Sequence, residues 1–291
     1  MAPVTSRRKK IALVTAPPPP LVTHPATADR LSKLPEEILA QILSFLPAQE
    51  AIRTCVLARP WRDVWKFTRR LRITGDSMRE VRGFVDRLLR VRLDGLKLAS
   101  LEASEISFDP SEEFVDVDDE PYTEPYLDDE DSLNRWIRRV LECQIQMLRV
   151  NICAQGYLDA YLQMGSRPLV SQHLTRLELT GIWFVCRCLC LDLCPALEHL
   201  EINECCLAAV RKITSLSLKR LVITSCDSNE DQKRVRICVP RLVSLWLDHN
   251  SVRTPLLERM PELVGAKIVM TKKVHLIVPD KIQQSVWFLK V

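Results

Sequence analysis

One spacing of apolar residues recurs through the second half of the chain. An apolar residue is followed by a second three positions later and by a third two positions after that. Successive copies begin 29, 23, 21, 24 and 21 residues apart. A unit of this length has room for one short strand and a return segment, which cannot bury its apolar face without neighbours. The frames are Ile145/Leu148/Val150, Leu174/Leu177/Leu179, Leu197/Leu200/Ile202, Leu218/Leu221/Ile223, Leu242/Leu245/Leu247 and a degenerate Leu263/Ala266/Ile268.

The period and the residues that follow each frame are typical of leucine-rich repeats stacked into a curved parallel sheet. This repeat class places Asn or Cys three residues after the last apolar position. Cys153, Cys205, Cys226 and Asn250 occupy that position in four copies. A weaker copy, Leu98/Leu101/Ala103, begins 47 residues before Ile145. The second half is therefore predicted to be a leucine-rich-repeat solenoid.

The residues that flank the buried leucines are expected on the concave side of such a solenoid, where these proteins commonly bind extended surfaces. Trp246 beside Val222 is a candidate anchor, because exposed aromatic residues and arginines are enriched at interface hot spots. The alternative is a solvated face with one apolar residue covered by a loop. The predicted substrate-binding residues are Arg149, Arg176, His199, Arg220, Val222 and Trp246, on a face that also holds Glu178, Glu201, Ser244 and Asp248.

Six cysteines fall within 21 residues, Cys186, Cys188, Cys190, Cys194, Cys205 and Cys206. Structural zinc is one hypothesis for this cluster. Zinc sites usually present C-x-x-C knuckles, however, whereas Cys-x-Cys-x-Cys with leucines between is typical of an alternating return segment with small buried residues. None of the 5 histidines lies in a recognisable nucleophile motif, so a thiol enzyme is disfavoured. We predict no metal, no cofactor and no catalytic residue.

The composition of the 291 residues limits the other classes of partner. Lys and Arg number 41 against 37 Asp and Glu, and the net charge of +4 is too small to indicate a nucleic-acid surface. No apolar run approaches the length of about 20 residues that spans a bilayer, and the N-terminus lacks a secretory signal. We therefore predict no nucleic-acid or membrane partner and a cytoplasmic and/or nuclear location, where the 11 cysteines would be reduced.

Two segments are too polar or too charged to pack. Residues 1–28 combine the basic run Arg7 to Lys10 with the prolines Pro17 to Pro20, which predicts a disordered tail or, alternatively, a nuclear localisation signal. Residues 109–131 hold twelve Asp or Glu and no Lys or Arg, which predicts an exposed acidic loop. A calcium site is the alternative there, but the ligand spacing of an EF-hand is missing.

Short amphipathic helices are predicted between these features. Pro35 suits a first helical position, and apolar residues follow it at helical spacing as far as Pro47. A second helix is predicted near Glu50, and a third is predicted around Trp61 and Trp65. Three such helices cannot bury all their apolar faces within about 40 residues, so part of this surface is expected to belong to a partner.

These residues resemble a plant-type F-box. The opening 29–39 (DRLSKLPEEIL) continues into 42–47 (ILSFLP), and 51–57 (AIRTCVL) and 61–65 (WRDVW) are similar to the family's second and third helices. Ala58 stands where the family usually has serine. Pro60 stands where a basic residue is usual, so one adaptor-facing charge is lost while the helix start is kept.

The resemblance implies a non-catalytic substrate-recognition subunit of a Skp-cullin-F-box ubiquitin ligase. Its F-box would bind the Skp-type adaptor, and through it a cullin, while the repeats hold an unknown protein substrate near the ubiquitin-loaded enzyme. The alternative is a repeat scaffold with a decayed F-box, for which Pro60 is the sequence hint. The implied adaptor-binding and core residues are Leu34, Pro35, Ile38, Leu39, Ile42, Leu43, Val56, Leu57, Trp61 and Trp65.

The predicted fold is α/β, with an N-terminal three-helix F-box followed by a leucine-rich-repeat solenoid that has a curved parallel sheet. A helix that carries Val81, Phe84, Val85, Leu88 and Leu89 on one face is expected to join the two parts. The predicted boundaries are 1–28 tail, 29–70 F-box, 71–97 linker helix, 98–275 repeats with the acidic loop 109–131, and 276–291 C-terminal end.

Overall fold

A computed structural model provides the structure of the chain. It describes residues 31–76, 78–94, 101–108, 127–152, 162–164, 167–226, 234–249, 255–270 and 286–290. The predicted N-terminal tail and the acidic segment up to residue 126 lie outside the described residues. So do Cys153 and Asn250, two of the four residues predicted to mark the repeat register.

The N-terminal part consists of short helices separated by prolines. Helices α1 (Glu36–Leu43) and α2 (Ala48–Arg53) each follow a proline at the N-cap, because the fixed φ of proline suits a helix start. The predicted third helix is instead two 3-10 turns, Arg59–Trp61 and Val64–Phe67. Ala58 before them is extended, with φ −161° and ψ 161°, and this breaks the helical path. Further 3-10 turns lie at 31–33 and 54–56.

Two longer helices cover one side of the molecule. Helix α3 (Met78–Asp94) buries Val85, Leu88 and Leu89, as their spacing predicts. Helix α4 (Leu127–Glu142) buries a stripe that includes Trp136 and Ile137. The prediction of a loop as far as residue 131 was wrong for 127–131, which form the first turn of α4. Acidic residues are favourable at a helix N-terminus, where the helix dipole is positive.

Parallel strands form the rest of the structure. One sheet has nine strands in the order β1-β2-β3-β5-β8-β10-β12-β14-β15, a second has four in the order β13-β11-β9-β7, and β4 pairs with β6. The strands of the large sheet are β1 (Arg70–Gly75), β2 (Ala103–Phe108), β3 (Met147–Ile152), β5 (Arg176–Thr180), β8 (His199–Asn203), β10 (Arg220–Thr224), β12 (Ser244–His249), β14 (Gly265–Met270) and β15 (Val286–Lys290). The others are β4 (Leu162–Met164), β6 (Ile182–Phe184), β7 (Cys188–Cys190), β9 (Lys212–Thr214), β11 (Arg236–Cys238) and β13 (Leu256–Leu257).

The frame residues of successive repeats lie side by side in the large sheet. Leu177 on β5 aligns with Leu148 on β3 and Leu200 on β8, and the next buried position aligns in the same way. The degenerate sixth copy keeps this register, because Ala266 aligns with Leu245. These side chains are buried and pack against those of the neighbouring repeats, so they form one continuous core.

Two strands at the N-terminal edge differ from the sequence prediction. Ser104 aligns with Leu148 and Ile106 with Val150, so the weak copy has the frame Leu101/Ser104/Ile106. The predicted frame Leu98/Leu101/Ala103 was wrong by three residues, because a buried serine occupies the middle apolar position. Strand β1, with Leu71 and Ile73 buried, was missed altogether and lies where the linker helix was predicted to begin.

None of the helices within the described ranges is long and apolar enough to cross a membrane.

Candidate protein-binding surfaces

The helical module, residues 31–68, has a small core of its own. Leu39 and Leu43 on α1 are buried against Trp61 and Val64 from the 3-10 turns, and Ala51 on α2 completes the contact. Ser44 donates a hydrogen bond from its hydroxyl to the carbonyl of Ala40 over 2.8 Å, which satisfies the end of α1. This core is small, so the faces of these elements that point away from it are not covered by other residues of the module.

The uncovered faces of the module are apolar. On α1, Ile38 is 42% exposed and Ile42 is 38% exposed, and Phe45 after the helix is 63% exposed. In the segment after α2, Val56 is 83% exposed and Leu57 is 68% exposed. Soluble proteins seldom expose a large contiguous apolar patch unless a partner covers it. The helical module is therefore a candidate protein-binding surface.

A cleft separates this module from the start of the large sheet. It has a volume of about 630 Å³ and runs between α1 and the first residues of β1. The apolar residues Ile38, Phe45 and Phe67 line it beside the charged Arg70 and Glu102. The exposed apolar surface of α1 thus continues into a concave site that a partner's side chains could enter.

Buried hydrogen bonds fix the module to the sheet. The guanidinium of Arg92, in the last turn of α3, donates to the carbonyls of Thr68 over 2.8 Å and of Trp65 over 3.2 Å. Burial lowers the pKa of Arg92 to about 10, which still leaves it charged at neutral pH. Gln49 on α2 donates to the carbonyl of Thr74 on β1 over 2.9 Å. The orientation of the module relative to the sheet is therefore defined by several polar contacts in addition to packing.

The face of the large sheet opposite the buried leucines is lined by polar rows. Residues that align across the strands form these rows, and we call one of them the middle row. The row that lies two residues earlier on each strand is the amino row. The middle row is Arg72, Glu105, Arg149, Glu178, Glu201, Val222, Trp246, Lys267 and, by its register on β15, Trp287. The amino row includes Arg176, His199, Arg220 and Ser244. All six residues predicted for the concave face lie in these two rows.

Glu178 is the centre of an ion-pair network on this face. Its side chain is 10% exposed, and both Arg149 and Arg176 donate hydrogen bonds to it. Burial by itself would raise the pKa of Glu178, but the two guanidinium groups outweigh it and hold the pKa below its usual value. The same carboxylate raises the pKa of Arg149. Glu178 thus bridges the two arginines, and Arg176 also lies 3.9 Å from the carboxylate of Glu201, so the charges of this stretch are paired within the protein.

A family model described as the F-box domain matches residues 31–72, which include the whole helical module. The chain carries an F-box. An F-box/FBD/LRR-repeat protein of Arabidopsis thaliana is 31% identical over 258 residues, which cover 77% of this chain and 53% of the relative. An FBD-associated F-box protein of the same plant is 28% identical over 264 residues, covering 87% of this chain and 62% of the relative.

A further relative, F-box/LRR-repeat protein 13 of Arabidopsis thaliana, is 26% identical over 269 residues, which cover 82% of this chain and 56% of the relative. The chain thus spans somewhat more than half the length of the curated relatives it matches. No solved structure matches the chain. The predicted similarity to plant F-box/leucine-rich-repeat proteins is confirmed.

The structure divides the F-box residues that sequence could not separate. Leu39, Leu43 and Trp61 are core residues, and Leu34 and Trp65 are partly buried beside them. The exposed members of the predicted set are Pro35, Ile38, Ile42, Val56 and Leu57. Sequence reasoning missed three more exposed apolar residues, Leu31, Phe45 and Phe67. Phe45 lies one turn after Ile42, and its apolar character next to Leu46 was the available signal.

The cysteines of the repeats have two different environments. Cys205 and Cys226 are buried, and each thiol donates to backbone carbonyls of its own and the preceding repeat. Burial raises the pKa of Cys205 well above its usual value, which disfavours the reactive thiolate. Both thus stand three residues after the last apolar position of their frame, where the repeat register predicts Asn or Cys.

The prediction for the Cys-x-Cys-x-Cys segment was partly wrong. Cys186 is buried as expected, but on β7 it is Leu189 that faces inward, while Cys188 is exposed and Cys190 is half-buried. The two-residue alternation of a strand therefore points these two thiols outward. Within the described ranges, no three or more His, Cys, Asp or Glu side chains are grouped so that they could hold a metal ion.

Proposed function

We propose that this chain is the substrate-recognition subunit of a Skp-cullin-F-box ubiquitin ligase. Its F-box binds the Skp-type adaptor, and through it a cullin, while the repeats bind a target protein. The family match over residues 31–72 supports the first role, because F-box domains generally bind Skp-type adaptors. The chain contributes proximity, by holding a substrate near the ubiquitin-loaded enzyme, and needs no catalytic residue of its own.

The observation that carries the proposal is the apolar surface that the F-box leaves uncovered. Ile38, Ile42 and Phe45 form one exposed group on and after α1, and Val56 with Leu57 forms a second. Burying apolar surface contributes about 25 cal/mol for each Å² removed from water, so five such side chains supply a strong driving force for association. We assign adaptor binding to these five residues and to Pro35, with Leu39, Leu43 and Trp61 supporting them from the core.

The finer architecture belongs to the same proposal. The parallel order of the strands, with a second parallel sheet behind the first, supports a curved leucine-rich-repeat solenoid that follows the F-box. Helix α3 would serve as the linker, and the polar face of the large sheet as the concave substrate surface. A cytoplasmic and/or nuclear location follows from this role, since the ligase acts on proteins of those compartments.

The test is binding of the purified chain to a plant Skp-type adaptor. The informative variant is Val56→Asp/Leu57→Asp, because both side chains are exposed and their replacement leaves the core intact. The matched control is Leu193→Asp, a similar change at a side chain that is 46% exposed on the repeats. We expect micromolar or tighter binding by the wild type and the control, and a loss of at least about tenfold in the double variant.

Failure of the well-folded wild type to bind the adaptor would reject the ligase role. The second candidate function, a repeat scaffold with a decayed F-box, would then be preferred. Pro60 is exposed in the 3-10 turn Arg59–Trp61, where a basic residue is usual in the family, so Pro60→Arg tests that candidate directly. Adaptor binding gained by this substitution would show that the loss of one charge inactivated the F-box.

A further inference from the structure

The middle row of the polar sheet face changes character along its length. Arg72 and Glu105 pair over 3.1 Å, and Glu178 pairs with both Arg149 and Arg176. After Glu201 the row continues with Val222, Trp246 and Lys267 on adjacent strands. Among the described residues, the charges of the row from Arg72 to Glu201 are therefore paired within the protein, whereas Val222, Trp246 and Lys267 take part in no ion pair.

Val222 and Trp246 are neighbouring apolar residues in this row, on the adjacent strands β10 and β12. Val222 is buried at 7% exposure, whereas Trp246 is 37% exposed and remains open to solvent. The ammonium of Lys267 lies 4.5 Å from the centre of the Trp246 ring. The equivalent positions on β1, β2, β3, β5 and β8 are charged, so the parallel sheet does not require an aromatic residue at this position. Tryptophan and arginine residues dominate the binding energy of protein interfaces.

The charged residues near Trp246 differ between the amino edge and the carboxyl edge of the sheet. Arg220 lies in the amino row beside His199 and Ser244, whereas Asp248 lies on β12 two residues beyond Trp246, toward the carboxyl edge of the sheet. Among the described residues, no carboxylate lies within 4.0 Å of the cationic group of Arg220 or Lys267. Within the part of the chain that the structure describes, these two cations thus have no carboxylate counter-ion: Arg220 lies toward the amino edge, away from Asp248, and Lys267 lies over the Trp246 ring.

We propose that Arg220, Val222, Trp246 and Lys267 bind an acidic segment of a partner protein. An apolar side chain of that segment packs on the Trp246 ring, and neighbouring carboxylates lie toward Arg220 and Lys267, at the amino edge. The direction follows from Asp248, which would repel an acidic side chain at the opposite edge. The inference rests on the proposed function only in taking this partner to be the ligase substrate.

A selection from a library of random linear peptides tests the surface with the full-length chain as bait. We expect the enriched peptides to be net acidic and to carry an apolar residue next to Asp or Glu. Their binding should fall by about tenfold or more in Trp246→Ala and in Arg220→Glu. It should also weaken as salt is raised, because the ion pairs formed at an exposed face are screened.

The matched control variants make similar substitutions at exposed residues away from this surface. Arg259→Glu makes the same charge change at an exposed arginine outside the large sheet, and Leu216→Ala truncates a side chain that is 64% exposed. Both should keep full peptide binding. Thermal unfolding checks that every variant is folded, and Arg220→Glu serves as the second test of the surface because its side chain is exposed.

Three results would overturn the proposal: no enrichment, enrichment of basic or uncharged peptides, or binding that Trp246→Ala and Arg220→Glu leave unchanged. Adaptor binding measured on the same proteins separates this failure from that of the ligase role. If the chain binds acidic peptides but does not bind the adaptor, the result supports the proposed peptide-binding surface and rejects the ligase role. Adaptor binding without selective peptide binding would support the ligase role and reject the surface.

Discussion

The F-box and the repeats treat their apolar residues in opposite ways. Seven of the fourteen exposed large apolar side chains that the structure describes lie between Leu31 and Phe67. The repeats, in contrast, bury their frame leucines in one continuous core. The frame leucines of adjacent strands share one core with residues of the second sheet, whereas the small F-box core leaves apolar side chains on other faces of its elements exposed. A high density of exposed apolar residues thus distinguishes the F-box, and buried frame leucines distinguish the repeats.

The largest effect is expected from a cavity in the repeat core. Leu200 is 1% exposed and aligns with Leu177 and Leu221 on the adjacent strands. Leu200→Ala should lower the free energy of unfolding by about 2–5 kcal/mol, since it removes apolar contacts and leaves a void. Chemical denaturation measures this change. Leu193→Ala, at an exposed site of the preceding repeat, should cost far less, and equal costs would show that the repeat core is not continuous there.

The junction between the two regions depends on a buried cation. Arg92→Met keeps most of the apolar stem but leaves the carbonyls of Trp65 and Thr68 without their donor. We expect a loss of about 2 kcal/mol in the free energy of unfolding, with faster hydrogen exchange in residues 59–68. Arg90→Met, at an exposed position of the same helix, is the control. Unchanged exchange would mean that packing alone orients the F-box.

A smaller effect is expected on the polar sheet face. Glu178→Gln weakens the network with Arg149 and Arg176 and should cost about 1 kcal/mol at neutral pH. The folded-state pKa of Glu178 lies below its unfolded value of about 4.3, so its stabilising effect is complete above that pH. It is lost as pH falls through the folded-state pKa. Denaturation from pH 7 to about pH 3 should show the two proteins converge, and a constant gap would contradict the network.

The smallest effect on stability is expected where the apolar residues are most exposed. Val56→Asp/Leu57→Asp should change the free energy of unfolding by no more than about 0.5 kcal/mol, because neither side chain packs against the core. The same double variant is expected to weaken adaptor binding by at least about tenfold. Leu43→Asp, at a core residue, is the contrasting variant and should unfold the F-box. A large loss of stability in the exposed variant would instead place Val56 and Leu57 in the folded core.

The repeat register could be predicted from sequence because it depends on local alternation and a constant period. Leu177, Leu200 and Leu221 align in the structure as their spacing predicts. The prediction failed where one repeat carries an unusual residue. Ser104 fills an apolar position in β2, and its burial depends on contacts with strands far along the chain. Strand β1 was missed for a related reason, since it is separated from β2 by the whole of helix α3.

The starts of the first two F-box helices were also within reach of the sequence, but the shape of the third helical segment was not. Prolines fix the starts of α1 and α2 through local geometry. The 3-10 turns around Trp61 and Val64 form because both side chains must reach the core beside Leu39 and Leu43, which is a tertiary requirement. For the same reason, helical spacing alone could not separate Ile42, which is exposed, from Leu43, which is buried.

The sequence by itself indicated the similarity to plant F-box/leucine-rich-repeat proteins, the repeat frame and the residues of the polar sheet face. Each depends on patterns within about 25 residues, where alternation, helical periodicity and proline geometry act directly. Only the tertiary structure decided which F-box residues are exposed and how Arg92 joins the F-box to the sheet. It also decided that Arg149 forms an ion pair, whereas Arg220 and Lys267 pair with no carboxylate among the described residues. These properties depend on distances between residues far apart in the chain, which only the packed fold sets.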